Sequence, residues 1–193
     1  NGAKIPNWRE RLVCPVCGLN NRMRAAIHLL KTVTKPKPDA RIYISEQTTQ
    51  LYQYFLKHYP NTVGSEYLGK KFKPGEINEN GIRNEDFTNL TFIDNEFDLV
   101  LSFEVIEHIP DFINAFSESL RVLKPGGSYF FRTPNKYHYV SFISRLTPHW
   151  VHTAIANKIR GLSEEAYEPF KTFYRMNTRS ALKSLSDKTG FTK

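Results

Sequence analysis

The sequence predicts an α/β fold, a doubly wound and mostly parallel sheet flanked by helices. Three observations carry that expectation. Residues 97–105 (FDLVLSFEV) form a nearly unbroken apolar run with Asp98 near its entrance, the pattern of a strand covered on both faces. Phe112, Ala115, Phe116, Ser119, Leu120 and Leu123 then recur at helical spacing behind Pro110 and Asp111, which is placed to cap a helix. Lys124-Pro125-Gly126-Gly127 should stop that helix, because proline cannot continue it and glycine accepts the left-handed turn at its end. Residues 128–132 (SYFFR) restart as a strand and break at Thr133-Pro134-Asn135. Strand, crossover helix and strand make a right-handed βαβ unit.

The remaining elements follow in chain order. Cys14-Pro15-Val16-Cys17-Gly18 has the form of half a zinc ribbon. Tetrahedral zinc needs four ligands and no second pair exists, so the two cysteines are expected as reduced thiols in a turn. His28, the nearest further donor, is expected to pack beside Ala25 and Leu29. Residues 21–33 read as a helix with Met23, Ala26, Ile27 and Leu30 on one face. Lys35-Pro36-Lys37-Pro38-Asp39 is a linker, since each proline forces its predecessor out of helix. The organisation expected is therefore a knuckle and helix over 1–38, followed by the main domain over 39–193. Within it, residues 41–45 read as a strand and 49–59 as a helix with Leu51, Tyr54, Phe55 and His58 on one side. Residues 62–67 give a second strand, 68–83 a long loop of the functional or mobile kind, and 82–85 a short third strand.

After the fifth strand, residues 136–176 are long for a connection and rich in aromatics and histidine, and they are expected to form a helical lid. His138, His149 and His152 are its candidates for substrate contact. Residues 178–190 close with an amphipathic helix capped by Asn177 or Thr178. That helix runs into Gly190-Phe191 where a further strand would be expected, so the sheet reads as incomplete there.

Composition bounds the partners. A chain of 193 residues is one domain of ample core, and its net charge of +8 favours an anionic partner such as a phosphorylated substrate, nucleic acid or a membrane surface. The basic residues are scattered, however, which suits a solvated basic surface equally well. No apolar stretch reaches transmembrane length and no leader is visible, and Cys14 and Cys17 give no disulfide framework, so a soluble, cytoplasmic protein is expected.

The run EDFTNLTFIDNEFDLVLSFEVIEH, followed by RVLKPGG and a strand ending in TPN, resembles class I S-adenosylmethionine-dependent methyltransferases. The resemblance covers the central third of the chain. It implies a Rossmann-like domain with S-adenosylmethionine as cofactor. It places Asp86 against the adenine amino group, with Phe87 packing on the ring. Glu66, at the end of the second strand, would hold the ribose hydroxyls, because a carboxylate offers two acceptors to two donors. The first βα junction departs from the family, since Ser45-Glu46-Gln47-Thr48-Thr49 contains no glycine. Glu46 there would accept from the cofactor's amino group, although a glutamate beside a helix N-terminus is also favoured by the helix dipole alone.

Ligands of open α/β sheets bind at the carboxyl ends of the strands, which puts Ser102 and Phe103 beside the cofactor and Glu104, Glu107 and His108 at the reactive end. His108 suits removal of a proton from a substrate hydroxyl, with Glu107 beside it. Glu104, Glu107 and His108 could also hold a divalent ion with His138, but no metal is expected. The function expected is methyl transfer to oxygen on a small-molecule or glycan-type acceptor. Its rivals are an RNA methyltransferase and a non-catalytic domain that lost cofactor binding with the glycine turn. A nicotinamide-dependent dehydrogenase is disfavoured, because the dinucleotide fingerprint is missing after the first strand.

Overall fold

The computed structural model describes residues 12–135, 173 and 178–191. Helix α1 (Asn21–Val33) starts where the Asn20 side chain accepts from the Met23 N–H at 3.0 Å. Ala26, Ile27 and Leu30 are buried and Met23 packs beside them, as the spacing predicts. His28 is exposed instead of packed, because its position turns away from that stripe. Strand β1 (Ile42–Ile44) leads into α2 (Gln50–His58), capped by Thr49, and then into β2 (Thr62–Gly64). Strand β3 (Phe97–Phe103) is followed by a 3₁₀ turn (Ile106–His108) and by α3 (Phe112–Val122), whose cap is Asp111. Strand β4 (Leu123–Arg132) comes next, and α4 (Arg179–Thr189) runs from its Thr178 cap to Gly190 in the left-handed conformation.

The four strands pair in the order β2-β1-β3-β4, all parallel. Ile42 and Ile44 face a core shared with Leu30, Leu51, Phe55, Leu99 and Leu101. Tyr43 faces the opposite core, with Phe97, Val100, Phe116, Val122 and Leu185. Alternation along β1 thus buries both faces, and helices cover each, which is the doubly wound arrangement expected. Burying each of these large side chains stabilises the fold by about 1.5–3 kcal/mol.

Several boundaries differ from the sequence expectation. The segment 82–85 is not a strand; it makes a single parallel bridge, Glu66 to Asn84, at the outer side of β2. Backbone bonds from Glu66 to Arg83 and from Glu85 back to Glu66 flank that bridge. Helix α3 ends at Val122, before the proline, and β4 starts at Leu123. Lys124 to Gly127 form an irregularity between the pairs Phe97–Leu123 and Leu99–Ser128. The 68–83 loop is organised by buried Asn84, which accepts from the Leu68 N–H and donates to the Phe72 and Lys73 carbonyls. The expected lid, with His138, His149 and His152, lies outside the described residues except for Phe173. Among the described residues no helix is long and apolar enough to cross a membrane.

Candidate active site at the carboxyl edge of the sheet

The strand order places a topological switch between β1 and β3: the chain leaves β1 towards β2, then returns past β1 to build β3 and β4 on the other side. In open α/β sheets such a switch is where ligands bind, at the carboxyl ends of the strands. Glu46 follows β1, Glu66 follows β2, Glu104 follows β3 and Arg132 ends β4, so four charged residues meet at one edge.

The loop after β1 is held without glycine. The Glu66 Oε1 accepts from the Gln47 N–H at 2.8 Å, the Thr48 N–H at 3.0 Å and the Thr48 hydroxyl at 2.9 Å. The Gln47 side chain fastens the far side, donating to the Gly81 carbonyl and accepting from the Arg83 N–H. The space for this loop comes from Gly64 at the end of β2. A Cβ there would sit 2.6 Å from the Tyr52 ring and 2.9 Å from the Glu46 carbonyl oxygen. The expected result for Gly64→Ala is a loss of about 1–3 kcal/mol in thermal or urea unfolding, as for other overpacking changes. Unchanged stability would show that the loop moves freely.

At the switch, Glu104 adopts φ +57°, unusual for a residue with a side chain. Such a conformation costs about 1–3 kcal/mol and collects at functional sites. Its carboxylate meets the Arg22 guanidinium of α1 at 2.6 Å and that of Arg132 at 3.5 Å. Arg132 also lies over the Phe103 ring, 5.5 Å from its centroid. Burial holds the Arg132 guanidinium below its usual range, and burial pushes the Glu46 carboxyl up to about 7. The Glu46 Oε1, the Ser45 hydroxyl and the Arg132 Nε and Nη1 are shielded from solvent with no hydrogen-bond partner. Orphaned polar atoms of this kind are costly unless something else completes them.

The other expected site residues divide. Asp86 lies at the same edge, and its Oδ1 accepts from the Thr88 N–H and hydroxyl. Phe87 is buried in the core against Tyr43, with ring centroids 6.0 Å apart, and has little face to offer a ligand. Ser102 is likewise a core residue, its hydroxyl 2.8 Å from that of Tyr129. Phe103 is 8% exposed and supports the Arg132 guanidinium. Glu107 is buried, accepts from the Thr133 hydroxyl at 3.0 Å, and has its carboxyl pushed up by that burial. His108 is half-buried at the end of the 3₁₀ turn that follows β3.

Among the described residues no three His, Cys, Asp or Glu side chains converge as a metal site would require. Cys14 and Cys17 sit in a tight knuckle closed by the Gly18 N–H to the Cys14 carbonyl, and backbone N–H groups hold the Cys14 thiol below its usual range. Arg132 and Arg22 were not expected at the site. Each reads in the sequence as an ordinary arginine, and in the structure both reach the Glu104 carboxylate. A separate cleft of about 430 Å³ opens at the opposite, amino edge between Lys35, Lys37 and Lys124, where Asp98 is already bonded to Lys124 and to the Arg41 N–H.

A parallel sheet with charged residues at its switch point defines a doubly wound α/β domain of the ligand-binding kind. Residues 48–131 match the model of the methyltransferase domain family. Sterol 24-C-methyltransferase ERG6A of Gibberella zeae is 41% identical over 58 residues, which is 30% of this chain and 15% of the fungal enzyme. A SAM-dependent methyltransferase of Thermotoga maritima superposes with a TM-score of 0.55 at 21% identity, over 89% of this chain and 72% of that one. Phosphoethanolamine N-methyltransferase 2 of Haemonchus contortus, solved with S-adenosyl-L-methionine, gives 0.54 at 15% identity, over 86% of this chain and 36% of that one. The matched stretch is thus a small part of the sterol enzyme's length.

Proposed function

We propose that this protein transfers the methyl group of S-adenosylmethionine to an oxygen of a small-molecule or glycan-type acceptor. The observation that supports the reading is the set of carboxylates at the carboxyl edge of the sheet, Glu46, Glu66 and Asp86, in a chain that matches the methyltransferase domain family over residues 48–131. Glu66 keeps a second carboxylate oxygen for the ribose hydroxyls, while its first holds the loop that would line the cofactor. Asp86 has the same economy, one oxygen fixing a turn and the other available to an amino group. Glu46 presents an unpartnered oxygen where the cofactor's ammonium would lie. These residues fit the cofactor, whose sulfonium supplies a methyl group already activated for displacement. The chain's own contribution is then in-line positioning, with a base where the nucleophile carries a proton.

His108 is the base in this reading, and Glu107 acts through the backbone turn that fixes it. His108→Asn is expected to lower kcat by about 10²–10⁴-fold with little change in cofactor affinity. An equal loss of binding would assign His108 to the fold instead. The sterol relative's name specifies a carbon acceptor, so a methyl-transfer assay should include carbon, nitrogen and oxygen nucleophiles. An RNA acceptor draws on the net charge of +8 and would show a steep salt dependence. The two free thiols suit a reducing, cytoplasmic setting.

Calorimetric titration with S-adenosylmethionine and S-adenosylhomocysteine, beside NAD, tests the reading. Micromolar binding of the first two alone supports it. No binding by a folded chain would leave a domain that retains the fold without the cofactor.

A further inference from the structure

We propose that the cleft at the amino edge of the sheet is a binding site for a phosphate monoester, whose dianion is drawn by Lys35 and Lys37. The site lies at the opposite end of the strands from the carboxyl edge, so it stands or falls apart from the methyltransferase reading.

Three parts of the chain meet there. The stretch leaving α1 supplies Lys35, Lys37 and Asp39, the start of β3 supplies Asp98, and the irregular start of β4 supplies Lys124 and Ser128. They line about 430 Å³, within the range of small-molecule sites, with the buried Ala40 and Leu99 as an apolar side. The charges sort by partner. Asp98 is engaged through both oxygens, Oδ1 by the Lys124 Nζ at 2.9 Å and Oδ2 by the Arg41 N–H at 2.8 Å, so Lys124 and Asp98 form a closed, neutral pair. Lys35 and Lys37 form no salt bridge among the described residues, which leaves two ammonium groups against the Asp39 carboxylate. A phosphate monoester carries up to two negative charges and three acceptor oxygens, which suits that surplus. Against an anion stand Asp39 and the carboxyl end of α1, whose Leu30 carbonyl is closed by the Thr34 N–H and hydroxyl. Charge alone would not separate this cleft from a solvated basic surface. The backbone does. Lys35 follows the Thr34 cap of α1 at φ +45°, the left-handed position that ends helices and that glycine fills without strain. Side-chain-bearing residues held in that conformation collect at functional sites. Pro36 and Pro38 restrict the chain around both lysines, so little backbone freedom is lost when a ligand is bound.

The experiment follows backbone amide signals of the full chain by nuclear magnetic resonance during titration with phenyl phosphate. The signals that move should centre on residues 34–40, 98–99 and 126–128 and should saturate. Lys37→Ala should weaken binding about 2- to 5-fold, the share of one exposed charge pair, and Asp39→Asn should strengthen it by about the same factor. Lys35→Gly should weaken binding likewise while its melting temperature holds or rises, because glycine relieves the left-handed strain. That split separates a ligand contact from a part of the scaffold. No saturable movement in the wild type overturns the proposal, and so does movement centred on residues 45–48 and 104 at the other edge. An affinity indifferent to all three substitutions overturns it as well. A short single-stranded RNA that moves the cleft signals where phenyl phosphate does not would overturn it in favour of a nucleic-acid groove. None of these outcomes alters the expected binding of S-adenosylmethionine at the carboxyl edge.

Discussion

Glu66→Ala is expected to lower affinity for S-adenosylhomocysteine by about 100-fold or more, the largest effect on cofactor affinity of any single change at the site. Two losses combine. The carboxylate oxygen not bound to the loop would no longer accept from the ribose, and charge-assisted bonds of that kind contribute about 1.5–3 kcal/mol each. The other oxygen would release the Gln47 and Thr48 N–H groups and the Thr48 hydroxyl, which Glu66 alone gathers. With no glycine-rich turn to hold its own shape, the loop after β1 depends on that carboxylate. Glu66→Gln separates the contributions. Its amide oxygen can still face the loop, leaving an NH₂ donor where the ribose needs an acceptor, so stability should survive while affinity falls. Calorimetry and a melting curve on both variants check this. Wild-type affinity in Glu66→Gln would remove Glu66 from the ribose site and leave it only as the loop's anchor.

Glu46→Gln is expected to flatten the dependence of stability on pH. Burial raises the carboxyl to about 7 in the folded chain, against an ordinary value of 4.5. A group with a raised folded value binds its proton more tightly when folded, so its stabilising contribution is complete below 4.5 and is lost as pH rises through 7. At pH 8 the wild type carries a buried, partly unpaired carboxylate that costs about 2–3 kcal/mol. The glutamine variant should therefore melt about 5–10 °C above the wild type at pH 8 and close to it at pH 4. The comparison between variants matters because a basic chain gains general stability as pH rises and its repulsion falls. Parallel melting curves across that range would show that Glu46 is solvated.

The fold was legible because its signals are redundant. The apolar run of β3, the periodicity of α3 and the Asp111 cap agree, and the structure places them where the pattern did. Short elements were less legible. Residues 82–85 carry strand-like composition, but they make only isolated bridges, Asn84 with Glu66 in parallel and Arg83 with Ile77 antiparallel. At Lys124-Pro125-Gly126-Gly127 the sequence shows where a helix cannot continue, yet it does not show that the strand pairing resumes across the interruption. The acidic candidates Glu46, Glu66 and Glu104 follow the ends of β1, β2 and β3, a placement that needs only the order of elements. Phe87 and Ser102 are buried, which an end-of-strand position does not reveal, because it does not say which face a side chain takes. Arg132 drew no notice in the sequence, where nothing shows that its guanidinium at the end of β4 meets the Glu104 carboxylate. The absence of glycine after β1 was legible, but its remedy, Gly64, lies on a different strand and is joined to it only by packing.

Helix α1 bears on how the molecule can be taken apart. Its Ala26, Ile27 and Leu30 share one core with β1, α2 and β3, and its Arg22 pairs with Glu104. The proline-rich stretch at 35–38 is therefore a bend in the path of the chain, not a seam. A cut there would remove part of the helical cover of the sheet and a cation from beside the strained residue at the switch, so a piece of this chain cut after 38 is expected to be less stable than one that keeps α1.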